Sequence, residues 1–249
     1  MRYFIKLAYN GIRFHGWQSQ INAVTIQGTI ETKMSLLLQT KLVIVGCGRT
    51  DTGVHAKEYY AHFDYEDDFP KNFLHRLNLI LPKDIAIYEI SEVKPETHAR
   101  FDAYHRSYEY HICFDKNPFE IETAWVYPYQ AELLDIDKMK AAAAVLMEFE
   151  DFNTFCKTNT DVKTTLCEMK RSEWIFDAEN RRLVFHISAN RFLRGMVRLI
   201  VGMCVNVGIG KVSIAELRQA LTEKRPLKFP YSVPAQGLFL IDIRYKFMS

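Results

Sequence analysis

The chain has 249 residues, 48% hydrophobic and 25% charged, an ordinary balance for a water-soluble globular protein with core enough for two domains. Lysine and arginine number 32 against 30 acidic residues, a formal charge of +2, so the molecule as a whole is not a polybasic nucleic-acid binder and any such surface must be a local patch. Five cysteines at scattered spacings without a C-x-x-C pair argue against a disulfide scaffold or zinc site, and no apolar leader or membrane-length run is seen, which predicts a cytoplasmic protein that does not enter a membrane.

Tyr3, Ile5 and Leu7 alternate as a half-buried strand does. Thr25-Ile26-Gln27 then opens a helix with Ile30, Met34, Leu37 and Leu38 on one face. Residues 42–45 read as a short apolar strand, 59–65 as another, 70–81 as a helix and 85–90 as a strand. Residues 104–114 form an aromatic-rich strand, and the domain boundary is placed just before it, giving units of 1–103 and 104–249. The alanine-rich run 135–147 favours helix. Residues 164–189 read as a long hairpin turning at Asp177-Ala178-Glu179-Asn180. Residues 192–207 carry helical spacing, Ser213 with Glu216 forms a capping-box pattern, and Leu238–Tyr245 is the last strand. The economical architecture is α+β, antiparallel sheet with helices on one face.

Between two of these strands lies Gly46-Cys47-Gly48-Arg49-Thr50-Asp51-Thr52-Gly53-Val54-His55-Ala56, a polar loop bounded by glycines and carrying one carboxylate. Asp51 is the candidate catalytic residue. To stay charged in a cleft it needs a cation or several donors, and Arg49, Thr50, Thr52 and the loop amides offer them. Taken alone, G-R-T-D also fits a turn aspartate bonding its own backbone. His55 and His62 invite a metal reading with Asp51, but no clear third ligand follows, so no metal site is expected.

The loop resembles the active-site motif of the TruA family of pseudouridine synthases, which modify the anticodon arm of transfer RNA. Other segments extend the resemblance over nearly the full length: Tyr9-Asn10-Gly11 with Phe14-His15-Gly16-Trp17-Gln18-Ser19-Gln20, then Thr25-Ile26-Gln27, His98-Ala99-Arg100-Phe101 and Arg106-Ser107-Tyr108-Glu109-Tyr110. Asp151-Phe152, Phe192-Leu193-Arg194-Gly195-Met196-Val197-Arg198 and Gly237-Leu238-Phe239-Leu240 complete the set. Thr52 stands where the family commonly has Ala, and Thr97 where it has an aromatic residue.

The resemblance implies two ferredoxin- or RRM-like α+β domains, the pseudouridine synthase fold, meeting in a central cleft that holds Asp51, Tyr108 and Arg198. It implies isomerisation of uridine to pseudouridine at positions 38, 39 and 40 of the tRNA anticodon stem-loop. No atoms are gained or lost, so neither cofactor nor metal is implied. Asp51 would be the essential carboxylate; attack at C1′, addition to the base and removal of the C2′ proton to give a glycal stay open, with the glycal route preferred. By the same resemblance, Tyr108 stacks on the base and serves as acid or base at C5, and Arg198 pairs with the aspartate. Arg49 fills the RNA stack as the base leaves, and Leu238 walls the base pocket. Arg181, Arg182 and Arg194, with Arg191, Lys163, Lys170 and Arg171 near them in sequence, suit phosphate contacts. A homodimer is implied, with no other protein partner. The rival classes are an inactive RNA-binding module using Tyr104, Tyr108 and Tyr110, and a metal-dependent hydrolase using Asp51 and His55.

Overall fold

The computed structural model describes residues 1–156, 163–177, 179 and 181–248. Its elements in chain order are β1 (Arg2–Tyr9), α1 (Ile26–Leu38), β2 (Val45–Gly46), β3 (His55–Asp64), α2 (Phe73–Ile80), β4 (Ile85–Val93) and β5 (Ala103–Cys113). There follow β6 (Trp125–Val126), α3 (Ile136–Val145), β7 (Met169–Asp177), β8 (Arg182–Ala189), α4 (Met196–Gly208), α5 (Ile214–Thr222) and β9 (Leu238–Tyr245). The chain is mixed α+β and mostly antiparallel, in two compact units, residues 1–104 with 239–249, and residues 105–238.

In the first unit β1 pairs antiparallel with β3 and with β4, while β9 lies parallel to the start of β3, His55 opposite Phe239 and Ala56 opposite Leu240. The last strand, read from the sequence as part of the 104–249 region, therefore lies from Phe239 onward in the first unit. Tyr3, Ile5 and Leu7 are buried as their alternation predicts, but so is Phe4, which meets Tyr245 and Phe247 edge-on at ring distances of 5.4 Å. The second face is covered by rings from the far end of the chain, which local alternation cannot reveal.

Thr25 caps α1 by accepting the Gly28 amide, and Ile26, Ile30, Met34 and Leu38 are buried, each contributing about 1.5–3 kcal/mol by leaving water. Leu37 is only half-buried. Residues 42–45 are not the expected strand. The Leu42 amide donates to Ser35 Oγ at 2.9 Å, the Ile44 amide to Glu31 at 3.0 Å, and the Ile44 carbonyl accepts Gln27 Nε2 at 3.1 Å. Side chains of α1 thus take the backbone groups a neighbouring strand would have used, and only Val45 and Gly46 pair with β3.

Two histidines of β3 are held by backbone amides. His55 Nδ1 accepts the Gly11 amide at 3.2 Å and His62 Nδ1 the Ala99 amide at 3.1 Å. Burial, with the charges of His98 and Arg2, pushes the His62 imidazole down to about 4. In the unfolded chain it titrates near ~6.5, so the folded state binds this proton less readily. Its contribution to stability is whole above that pH and is lost as pH falls toward about 4. Urea unfolding at pH 7 and pH 5 should show a larger acid loss for the wild type than for His62→Gln, whose amide oxygen can accept from Ala99 without titrating.

In the second unit β8 lies between β5 and β7, antiparallel to both, and the short β6 runs parallel to β5. The hairpin spans β7 and β8 rather than starting at 164, since Thr165 and Leu166 fold onto Asp151. Positions 178 and 180 of the expected turn lie outside the described residues. The next helix starts at Met196 rather than 192, because Gly195 takes a left-handed φ of 70° that ends the preceding loop. The helix α4 is buried along most of its length and packs against α3.

The Ser213 box is present in both directions, Ser213 Oγ accepting the Glu216 amide and Glu216 accepting the Ser213 amide. Ser213→Ala should lower stability by about 1 kcal/mol in urea titration, with the midpoint shifted and the slope unchanged.

Candidate active site

The Asp51 loop leaves β2 at Gly46 and enters β3 at His55. Its floor is aromatic: Trp17 stacks on Tyr59 with ring centres 4.1 Å apart, and Tyr9 lies 5.5 Å from Tyr59. A side chain at Gly46 would collide with both Tyr59 and Trp17, so this backbone sits directly on the rings. Tyr59 donates its hydroxyl to the Gly48 carbonyl at 2.5 Å, and burial pushes its own ionisation well above the usual tyrosine range. Thr50 is buried and shares a 2.9 Å hydrogen bond with the Tyr9 hydroxyl.

The segment from Gly11 to Trp17 grips the loop from the other side. The Trp17 amide donates to the Thr50 carbonyl, and the Gly53 amide to the Phe14 carbonyl. Gly16 has φ +81°, and a Cβ there would stand 2.5 Å from the Thr50 oxygen; one at Gly11 would stand 1.9 Å from the Val54 oxygen. The Val54 amide returns to the Asp51 carbonyl at 3.1 Å, closing a four-residue turn in which Gly53 supplies a φ of 78°. Gln27 fixes the approach, its Oε1 accepting the Ser19 amide and Gln18 Nε2. Asp51 is therefore presented half-buried as the first residue of a turn held by the Gly11–Trp17 backbone, with Arg49 exposed nearby in the loop. Sequence comparison singled out Tyr9, Gly11, Gly16, Trp17 and Gln27 without a role, and the structure makes them the mounting of this turn.

In the second unit Tyr108 lies opposite Ile187 of β8, half-buried, with its ring edge-on to Phe192 at 5.2 Å. Tyr110 is fully buried, donates its hydroxyl to the Pro234 carbonyl at 2.8 Å, and has its ionisation pushed up by burial while the Arg198 charge opposes. Arg198 stands in the first turn of α4, and its Nε donates to the Val233 carbonyl at 2.7 Å. That bond orients the guanidinium from an irregular segment held against the helix, since a Cβ at Gly202 would lie 1.8 Å from the Tyr231 oxygen. Tyr110, Arg198, Val233 and Pro234 are thus brought together, with Leu238 buried a few residues on.

The basic candidates separate. Arg194 is exposed before α4. Arg181 is ion-paired to Asp115 at 2.8 Å and Arg182 to Glu120, so both are already matched by carboxylates of the loop between β5 and β6. Nothing in their sequence neighbourhood foretold those partners, which lie some sixty positions earlier. Among the described residues, no group of three His, Cys, Asp or Glu side chains is placed to hold a metal ion. None of the described helices is long and apolar enough to cross a membrane.

A family model described as tRNA pseudouridine synthase matches residues 142–246. Proteins named tRNA pseudouridine synthase A resemble the chain along nearly its whole length: that of Parabacteroides distasonis is 46% identical over 98% of this chain and 96% of its own. The Bacteroides fragilis protein is 43% identical over the same shares, and that of Caldicellulosiruptor bescii 35% identical over 97% of this chain and 98% of its own. With identity of this order over nearly the whole chain, the chain belongs to the tRNA pseudouridine synthase A family.

Proposed function

We propose that this protein isomerises uridine to pseudouridine in tRNA, at positions 38, 39 and 40 of the anticodon stem-loop, with Asp51 as the catalytic carboxylate. The observation that carries the reading is the Asp51 turn, a half-buried carboxylate in a loop held by the Gly11–Trp17 backbone over an aromatic floor, in a chain of this family. The reaction breaks the C1′–N1 glycosidic bond, turns the base and joins C5 to C1′, the C5 proton leaving to water and N1 gaining one. It balances without a co-reactant. Tyr108 stacks on the extruded base and handles the C5 proton, Arg198 partners the carboxylate, Leu238 walls the base, and Arg49 fills the space it vacates. The ferredoxin-like character of the two domains, with a boundary near residue 103, the homodimer and the cytoplasmic setting belong to the same proposal.

The chemistry is tested with tRNA transcripts carrying tritium at C5 of uridine. Each turnover at a labelled uridine should release one tritium to water, and unlabelled transcript should keep its mass. Retained label would reject the reading.

Phosphate contacts fall on Arg194 and, by exchange of their carboxylate partners, on Arg181 and Arg182. The logarithm of tRNA affinity should fall linearly with the logarithm of salt, and Arg194→Gln should lower that slope by about one. Arg181→Gln and Arg182→Gln should each lower it by at most about one, since a contact with RNA there replaces the one to Asp115 or Glu120. Filter binding from low to physiological salt measures all three, and an unchanged slope for Arg194→Gln would move the RNA surface elsewhere.

A further inference from the structure

The His98-Ala99-Arg100-Phe101 motif takes no part in the site described above, yet it is built with care. Its turn is closed on itself: the His98 amide donates to Asp102 at 2.7 Å, the Asp102 amide to the His98 carbonyl, and the Arg100 and Phe101 amides both to His98 Nδ1 at 3.1 and 3.3 Å. Three longer-range bonds fasten it to the first unit. Ala99 donates to buried His62, the Ala99 carbonyl accepts the Tyr245 hydroxyl at 2.6 Å, and the Thr97 carbonyl accepts Arg2 at 3.1 Å.

What this rigid turn carries outward is Phe101, 73% exposed. The His98 ring lies 4.2 Å from it and the Arg100 guanidinium 5.7 Å. A single exposed phenylalanine needs no explanation. One at the apex of a turn with no slack, flanked by an imidazole and a guanidinium, has the composition of a nucleobase platform: a π-face for stacking and a cation for the adjoining phosphate. The turn is anchored at His62, seven positions along β3 from His55, about 23 Å at strand rise. It therefore serves a nucleotide distinct from the one that reacts at Asp51.

We infer that Phe101, with His98 and Arg100, forms a second RNA contact, a platform on which an unpaired base of the bound tRNA stacks away from the reacting uridine. This rests on the proposed tRNA activity, and tritium release by the wild type, measured alongside, separates failure of that reading from failure of this one.

The test compares Phe101→Ala, Phe101→Leu and Phe101→Trp for tRNA affinity, with sedimentation of each protein. Loss of a stacked base should weaken binding about tenfold in the Ala and Leu variants, while Trp restores it. In the Trp variant, added tRNA should quench more indole fluorescence than in the wild type. Leu keeps the apolar bulk but lacks the π-face, so binding by Leu equal to that by Phe would overturn the inference, as would wild-type affinity in Phe101→Ala. A change of oligomeric state in the Ala variant would overturn it too, making Phe101 a contact between copies of this chain.

Discussion

Asp51→Asn is expected to abolish isomerisation, lowering single-turnover rate by at least about 10⁴, while tRNA affinity stays within a few-fold of wild type. The amide keeps the shape of the side chain but can neither carry the negative charge nor act as an oxygen nucleophile or base. The turn should survive the change. Its hydrogen bonds to Phe14, Trp17 and Val54 are all made by backbone atoms, and the aromatic floor is made by other residues. Unfolding midpoint and circular dichroism check that the fold persists, and tritium release reads the chemistry. Turnover by a rigorously purified Asn variant would remove Asp51 from the reaction.

Gly11→Ala should have nearly as large an effect through structure alone. The added methyl would lie 1.9 Å from the Val54 oxygen and 2.7 Å from its carbonyl carbon. Both are backbone, so no rotamer change relieves the overlap, and Gly11 is itself tied by its amide to His55. The two segments must part, at a cost of about 2–4 kcal/mol, and the Asp51 turn loses one of its walls. We expect a fall of at least about 100-fold in rate together with the stability loss. Gly48→Ala is the contrasting case, since a Cβ there meets nothing within 4 Å, and its stability should stay within about 0.5 kcal/mol of wild type. Equal stability of the Gly11 and Gly48 variants would refute the packing argument.

These two cases show where sequence reasoning reached and where it stopped. The Asp51 loop stood out through its resemblance to a family motif, since a carboxylate among glycines fits an ordinary turn as well; the helices at Ile26 and Ile214 were legible from local opening residues, and that at Ile136 from its run of alanines. Residues 42–45 were misread as a strand because their apolar alternation is real, Leu42 and Ile44 being buried and Val43 60% exposed, while the groups that claim their amides sit on α1. The burial of Phe4 and the parallel pairing of β9 with β3 depend on residues more than 180 positions away. The ion pairs of Arg181 and Arg182 are non-local too, and a run of basic residues looks the same in sequence whether or not it is matched.

The most direct measurement is position-resolved pseudouridine mapping of unmodified tRNA transcripts after incubation with the purified protein, with Asp51→Asn run in parallel. The account predicts pseudouridine at positions 38, 39 and 40 wherever a transcript carries uridine there, and none with the Asn protein. Modification confined to other positions, or none by the wild type on any transcript tested, would contradict it.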